Sequence, residues 1–147
     1  MAGQRDRTTA PAALAGRPEP AKTYRDVVAW QKAHQFVLCA YRLTKGFPRH
    51  ELFGLTGQLR RAAVSVAANI AEGFSRETDA EKLRFLTMAR GSLEECSYYL
   101  VLCRDLGYAD PTEAEADLDD ASRLLANYAA PIRRRVRGGA ERGRPGG

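Results

Sequence analysis

The chain has 147 residues, 44% hydrophobic and 28% charged, with a net charge of +5 at neutral pH. That length supports one domain with a real core and an ordinary soluble composition; no apolar run approaches the roughly 20 residues that span a bilayer, and no hydrophobic signal region precedes the first helical pattern. Cysteines are three (Cys39, Cys96 and Cys103), all in helical patterns and with no CxxC pair, so they are expected to be buried small hydrophobes in a reducing cytoplasm rather than disulfides or zinc ligands.

Residues 1–21, rich in Ala, Pro, Arg and Thr, are expected to form a disordered tail. The first helical pattern runs from about Tyr24 to Lys45. Val27, Trp30, His34, Val37, Tyr41 and Thr44 recur at heptad-like spacing, and Gly46-Phe47-Pro48 stops the pattern. The second runs from about Leu52 to Glu72, with Gly73 as its stop. Its stretch 58–73 is apolar nearly all round except for Gln58, Arg61, Ser65, Asn69 and Glu72, which recur at steps of three and four and share one face. Such a helix is expected to hide most of its circumference inside a bundle or between subunits.

The third pattern opens with Thr78-Asp79-Ala80-Glu81, a capping box, and continues to about Gly107, roughly 45 Å at 1.5 Å per residue. One apolar stripe combines Ala89, Cys96 and Cys103 with Leu86, Leu93 and Leu100. A second runs through Phe85, Met88, Tyr99, Leu102 and Leu106, and two stripes call for two partners. The fourth pattern starts at Asp110-Pro111-Thr112-Glu113, with Asp110 as N-cap, and carries Ala114, Leu118, Ala121, Leu125 and Tyr128 on one face. Pro131 is expected to end it. With no strand alternation and short connections, the fold class is all-α, an antiparallel up-down-up-down four-helix bundle over residues 22–131, followed by a basic disordered tail over 132–147.

Charge is unevenly placed. The segment from 132 onward holds six arginines against Glu141, a net +5, whereas residues 21–131 sum to −1. Within the body, residues 21–74 carry +5 and residues 111–131 carry −4, which suits either steering of nucleic acid or matching between subunits. Arg60, Arg76, Lys82, Arg84 and Arg90 are candidates for phosphate contact, against a solvated helix face as the plainer reading. Arg133, Arg134, Arg135 and Arg137 read as a flexible arm that binds RNA or DNA with little sequence preference, or as a solubilising tail. In the polar stripe, Arg61 and Asn69 read either as contacts to phosphate and base or as members of a hydrogen-bonded network with Gln58, Ser65 and Glu72, completed by Glu94, Glu95 or Ser92 on the third helix.

Catalysis finds little support. No HExxH, P-loop or GxSxG motif occurs, and Glu94 and Glu95 are adjacent and so point to different faces. His34 falls in the apolar pattern and is expected in the core or an interface rather than as a base. No enzyme activity, cofactor or metal is expected.

The order Trp30-Gln31-Lys32-Ala33-His34, Phe47-Pro48-x-x-Glu51, Gly54-Leu55-x-x-Gln58-x-Arg60-Arg61-Ala62-Ala63-x-Ser65, Asn69-Ile70-Ala71-Glu72-Gly73, Arg76, Phe85-Leu86 and Ala89-x-Gly91-Ser92-x-x-Glu95 closely resembles the four-helix-bundle family of 23S rRNA-intervening-sequence proteins over about residues 22–130. The resemblance implies a small bacterial bundle assembling as a ring-like homopentamer. It also implies kinship with accessory proteins of diversity-generating retroelements, which bind a reverse transcriptase and nucleic acid through a basic pentamer; the body of this chain departs from that basic pattern. The expectation is a cytoplasmic, non-enzymatic, homo-oligomeric nucleic-acid binder, or alternatively a pentameric scaffold docking a reverse transcriptase or another enzyme.

Overall fold

A computed structural model describes residues 19–146. Four helices make the fold: α1 (Val28–Thr44), α2 (Leu55–Ser75), α3 (Asp79–Leu106) and α4 (Thr112–Arg142), with no strand among the described residues. Contacts run α1–α2, α2–α3, α3–α4 and α4–α1, and none cross the diagonals, so the helices stand at the corners of a square. Successive helices run antiparallel, as short connections require. The expectation for residues 1–21 falls largely outside the described residues.

Local chemistry sets most boundaries. Before α1, Tyr24–Asp26 forms a 3-10 turn closed by a full capping box between Thr23 and Asp26, so the helix proper starts later than the sequence pattern suggests. The Pro48-to-Gly54 connection contains a second such turn, Arg49–Glu51, and places Leu52 and Phe53 outside the helix; α2 begins only at Leu55. The Thr78 hydroxyl accepts from the Glu81 amide at 3.2 Å, which is half of the expected capping box. Gly107, at φ 70°, ends α3 in the left-handed conformation that glycine adopts without steric cost. The N-cap of α4 is Pro111, not Asp110; Asp110 stands one residue earlier and accepts from both the backbone N–H (3.1 Å) and the hydroxyl (2.6 Å) of Thr112, the first helical residue.

The core is built from Phe36, Leu59, Val66, Ile70, Leu86, Leu100, Leu118 and Leu125 with many alanines between them. Small residues let the backbones approach. Gly73 does not stop α2 but lies inside it. A Cβ there would stand 3.2 Å from the Phe85 Cβ and 3.3 Å from the Lys82 carbonyl oxygen, so its bare backbone is what lets α3 close onto α2. Cys39, Cys96 and Cys103 are all buried and unpaired, as expected. Burial pushes the Cys96 thiol up to about 12, so it stays protonated.

Several expectations change. The apolar face of α1 is Ala29, Ala33, Phe36, Cys39 and Ala40, not the Trp30–His34–Tyr41 stripe. Of the expected stripe Val27 and Thr44 are buried, but its middle sits at the edge: His34 is exposed and stacks on the half-buried Trp30, with ring centroids 5.0 Å apart. Within one chain α2 is not covered all round, since Arg61, Val64, Ala68 and Glu72 face solvent. Most consequentially, residues 132–142 are not a disordered tail. The α4 helix passes through Pro131 and ends at Arg142. Proline denies the Asn127 carbonyl its helical partner, but Asn127 is exposed and water can serve that carbonyl. Beyond it, buried Ile132 and the pairing of Arg135 with Asp79 hold the helix against α3.

Candidate nucleic-acid interface

The α2 polar stripe packs along α3. The Ser65 and Ser92 hydroxyls are 2.9 Å apart, and the Asn69 amide donates back to the Ser65 hydroxyl (3.0 Å) and carbonyl (2.8 Å). Two turns away, the Tyr99 hydroxyl donates to Gln58 Oε1 at 2.9 Å. Burial, and then the nearby Glu95 carboxylate, push the Tyr99 phenol up. Gln58, Arg61, Ser65, Ser92, Glu95 and Tyr99 line one shallow pocket of ≈ 200 Å³ on this seam. Glu72 leaves the network and pairs with Arg76, one turn on. Glu94 also lies elsewhere, in the α3–α4 groove with Arg90 and Arg133. The seam is therefore a register-fixing network with one open cation, Arg61, at its rim.

The basic candidates divide by what already holds them. The Arg60 Nε donates to the Thr44 hydroxyl at 2.8 Å and its guanidinium covers the Tyr41 ring at 4.7 Å, so it pins α2 to α1. The Lys82 ammonium donates to the Phe74 carbonyl at 2.8 Å, closing the last turn of α2. Arg76 bridges to Glu72 and lies over the Phe85 ring at 4.7 Å, and its Nε is buried without a hydrogen-bond partner. Arg135 grips Asp79 through two bonds of 2.9 and 3.2 Å, and that pairing holds the Asp79 carboxyl below its usual range. Arg84, over Phe85 at 5.1 Å, remains exposed, as do Arg90, Arg134 and Arg137. Arg133 is half-buried.

Topology gathers most of these groups. The Asp79–Arg135 contact brings the start of α3 and the end of α4 to one end of the bundle, where α2 also finishes. Arg76, Lys82, Arg84, Arg134, Arg137 and Arg142 all lie toward that end. The acidic α4 start, with Glu113, Glu115, Asp117 and Asp119, lies at the other. There it meets the basic first half directly through Arg42 and Glu113, 3.8 Å apart. Part of the charge segregation seen in the sequence is thus neutralised within one chain.

Among the described residues, one group offers closely spaced metal-ligand atoms: Cys39, Glu113 and Asp117, within 4.8 Å of one another. Arg42 pairs with the same Glu113, and burial first, then Glu113 and Asp117, push the Cys39 thiol up. Arg42 thus already serves the Glu113 carboxylate. His34 and His50 are both exposed, far apart in the chain, and bring no carboxylate or nucleophile into a shared pocket among the described residues. No helix among the described residues is long and apolar enough to cross a membrane.

Comparison with known proteins agrees with this architecture. Comparison with curated proteins finds no match. Among solved structures, a similar fold is that of a Bacteroides thetaiotaomicron protein of unknown function from the S23 ribosomal protein family. It is 21% identical, covers 69% of this chain and 97% of its own, and superposes with a TM-score of 0.60. The profile of the 23S rRNA-intervening sequence proteins matches residues 25–128, which span the turn before α1 and most of α4. The chain therefore belongs to the 23S rRNA-intervening sequence protein family.

Proposed function

We propose that this protein is a non-enzymatic subunit of a homo-oligomeric ring, pentameric by resemblance, that binds RNA or DNA electrostatically through the basic end of each bundle. The observation that carries the reading is the continuation of α4 past Pro131, which sets Arg134, Arg137 and Arg142 on an ordered helix at the same end as Arg76 and Arg84. An ordered cationic helix loses less entropy on meeting phosphate than a flexible tail does. Repetition around a ring turns a modest patch into a multivalent one. The exposed apolar side chains Leu38, Tyr41, Leu52, Phe53 and Val64 support self-association.

The test is a titration of structured RNA and duplex DNA with the full chain and with an Arg134→Gln, Arg137→Gln, Arg142→Gln variant. All three positions are exposed, so the fold is retained. The variant is expected to bind at least tenfold more weakly at low salt. Equal affinity would remove the arm from the interface, and no binding by the full chain would reject the reading.

A second reading, a scaffold that docks another protein, draws on the outer face of α3. Met88 and Tyr98 are 50% and 58% exposed there, and Gly91 lies between them with no atom near where its side chain would be. Pull-down of one defined partner, lost on Tyr98→Ala, would favour it.

A further inference from the structure

We infer that Phe53 is a knob that enters the groove between α3 and α4 of a second copy, and that this contact links subunits around the ring. The inference rests on the homo-oligomeric reading above and names the contact that builds it.

Phe53 is 92% exposed, and Leu52 beside it is 51% exposed. Both sit on the turn between α1 and α2, which holds them away from their own core. A large aromatic ring left in water at a turn is a cost that the single chain does nothing to offset. Its surroundings carry a small positive excess: Lys45 and Arg49 are exposed on the same connection, against the half-buried Glu51.

The matching hole is at the same end of the bundle. A groove of ≈ 320 Å³ opens between the last turns of α3 and the first turns of α4, with Leu100, Val101 and Leu118 among its lining and Arg104, Asp105, Glu115 and Asp119 at its polar side. A cavity of roughly 150 Å³ suffices for benzene, so an aromatic side chain fits. Val101, 51% exposed, is the apolar side chain that opens to water there, above the buried Leu100 and Leu118. Asp105 and Asp119 have no ion-pair partner among the described residues, while Glu115 is held by Arg104. The basic surround of the knob thus faces free carboxylates around the hole.

Placement decides the occupant. In the square of helices the α1–α2 edge is opposite the α3–α4 edge. Phe53 therefore lies across the bundle from its own groove. A second copy brings the two together, and because knob and hole stand at the same end, the step from copy to copy involves little rise along the bundle axis. A heterologous contact of that kind closes into a ring when each copy is also rotated against the last.

The experiment uses the full chain, a Phe53→Arg variant and a Val101→Arg variant, with mass measured in solution by sedimentation. Both positions are exposed, and unchanged helical circular dichroism checks the fold. The expected result is a multimeric wild type, each variant alone reduced to monomer, and an equimolar mixture of the two forming a 1:1 dimer that grows no further. Only one intact knob and one intact hole meet in that mixture. A Phe53→Arg protein with the wild-type mass would overturn this inference and leave the ring itself standing. A monomeric wild type would overturn both, and would return Phe53 to the role of a contact for some other protein.

Discussion

Ser65 and Asn69 were legible as a pair because four residues make one helical turn, but only the packed structure joins them to Ser92. Their hydroxyl and amide groups are half-buried and satisfy one another. Ser65→Ala leaves the Ser92 hydroxyl and the Asn69 amide each short of a partner, and is expected to cost about 1–3 kcal/mol, read as a lower midpoint in denaturant unfolding. Gly73 makes a sharper case. Gly73→Ala forces a Cβ against the Phe85 side chain and the Lys82 backbone. The loss from separating α2 and α3 there, about 1–3 kcal/mol, outweighs the usual helical gain of about 1 kcal/mol for alanine; a variant more stable than wild type would contradict the close approach. Asp79 gives a pH dependence. Its folded pKa lies below the ordinary 3.8 because Arg135 favours the carboxylate. The unfolded chain therefore takes up the proton first as pH falls, and the stability due to the pair is present above 3.8 and lost below it. A thermal-melting series in acid should show wild type losing its advantage over Asp79→Asn in that window. A gap that stays constant down through it would sink the assignment.

At the scale of elements, caps and large buried side chains were the easiest parts to foresee. Thr78, Gly107 and Asp110 delimit helices by local chemistry, and the Leu86–Leu93–Leu100 stripe of α3 is core, as its spacing suggests. The α1 face was missed because its contact surface is mostly alanine, while the large residues Trp30 and Tyr41 dominate a hydrophobic pattern and yet sit at the edge. Phe53 was hidden by reading Leu52 as a helix start, where an aromatic residue draws no notice. The end of α4 was missed because a proline followed by Arg and Gly signals a stop locally, while Ile132 and the Asp79–Arg135 pair act through the tertiary structure. Two outcomes test that element. Ile132→Ala should lower stability by about 2–4 kcal/mol, a loss that a disordered residue would not show. Amide exchange should be slowed past Pro131 through Arg137 and quicken only gradually toward the end of α4 at Arg142. Uniformly fast exchange from 132 would restore the tail picture.

For the whole molecule, the bundle was legible from period and connection length, whereas the distribution of charge in space was not. The +5 of residues 21–74 lies partly against the −4 of residues 111–131 because α1 packs on α4, and Arg42 with Glu113 offsets part of the apparent contrast. What remains is an end rich in arginine and an opposite end with an exposed apolar knob and a groove edged by Asp105 and Asp119. The account assigns the first to nucleic acid and the second to neighbouring copies. The measurement that tests its central claim most directly is the salt dependence of binding to structured RNA, compared between the full chain and the Arg134→Gln, Arg137→Gln, Arg142→Gln variant. Each phosphate contact contributes about 0.7–0.9 to the slope of log affinity against log salt. A steep negative slope is expected for the full chain and a shallower one for the variant; affinity that does not change with salt would reject electrostatic binding through the basic end.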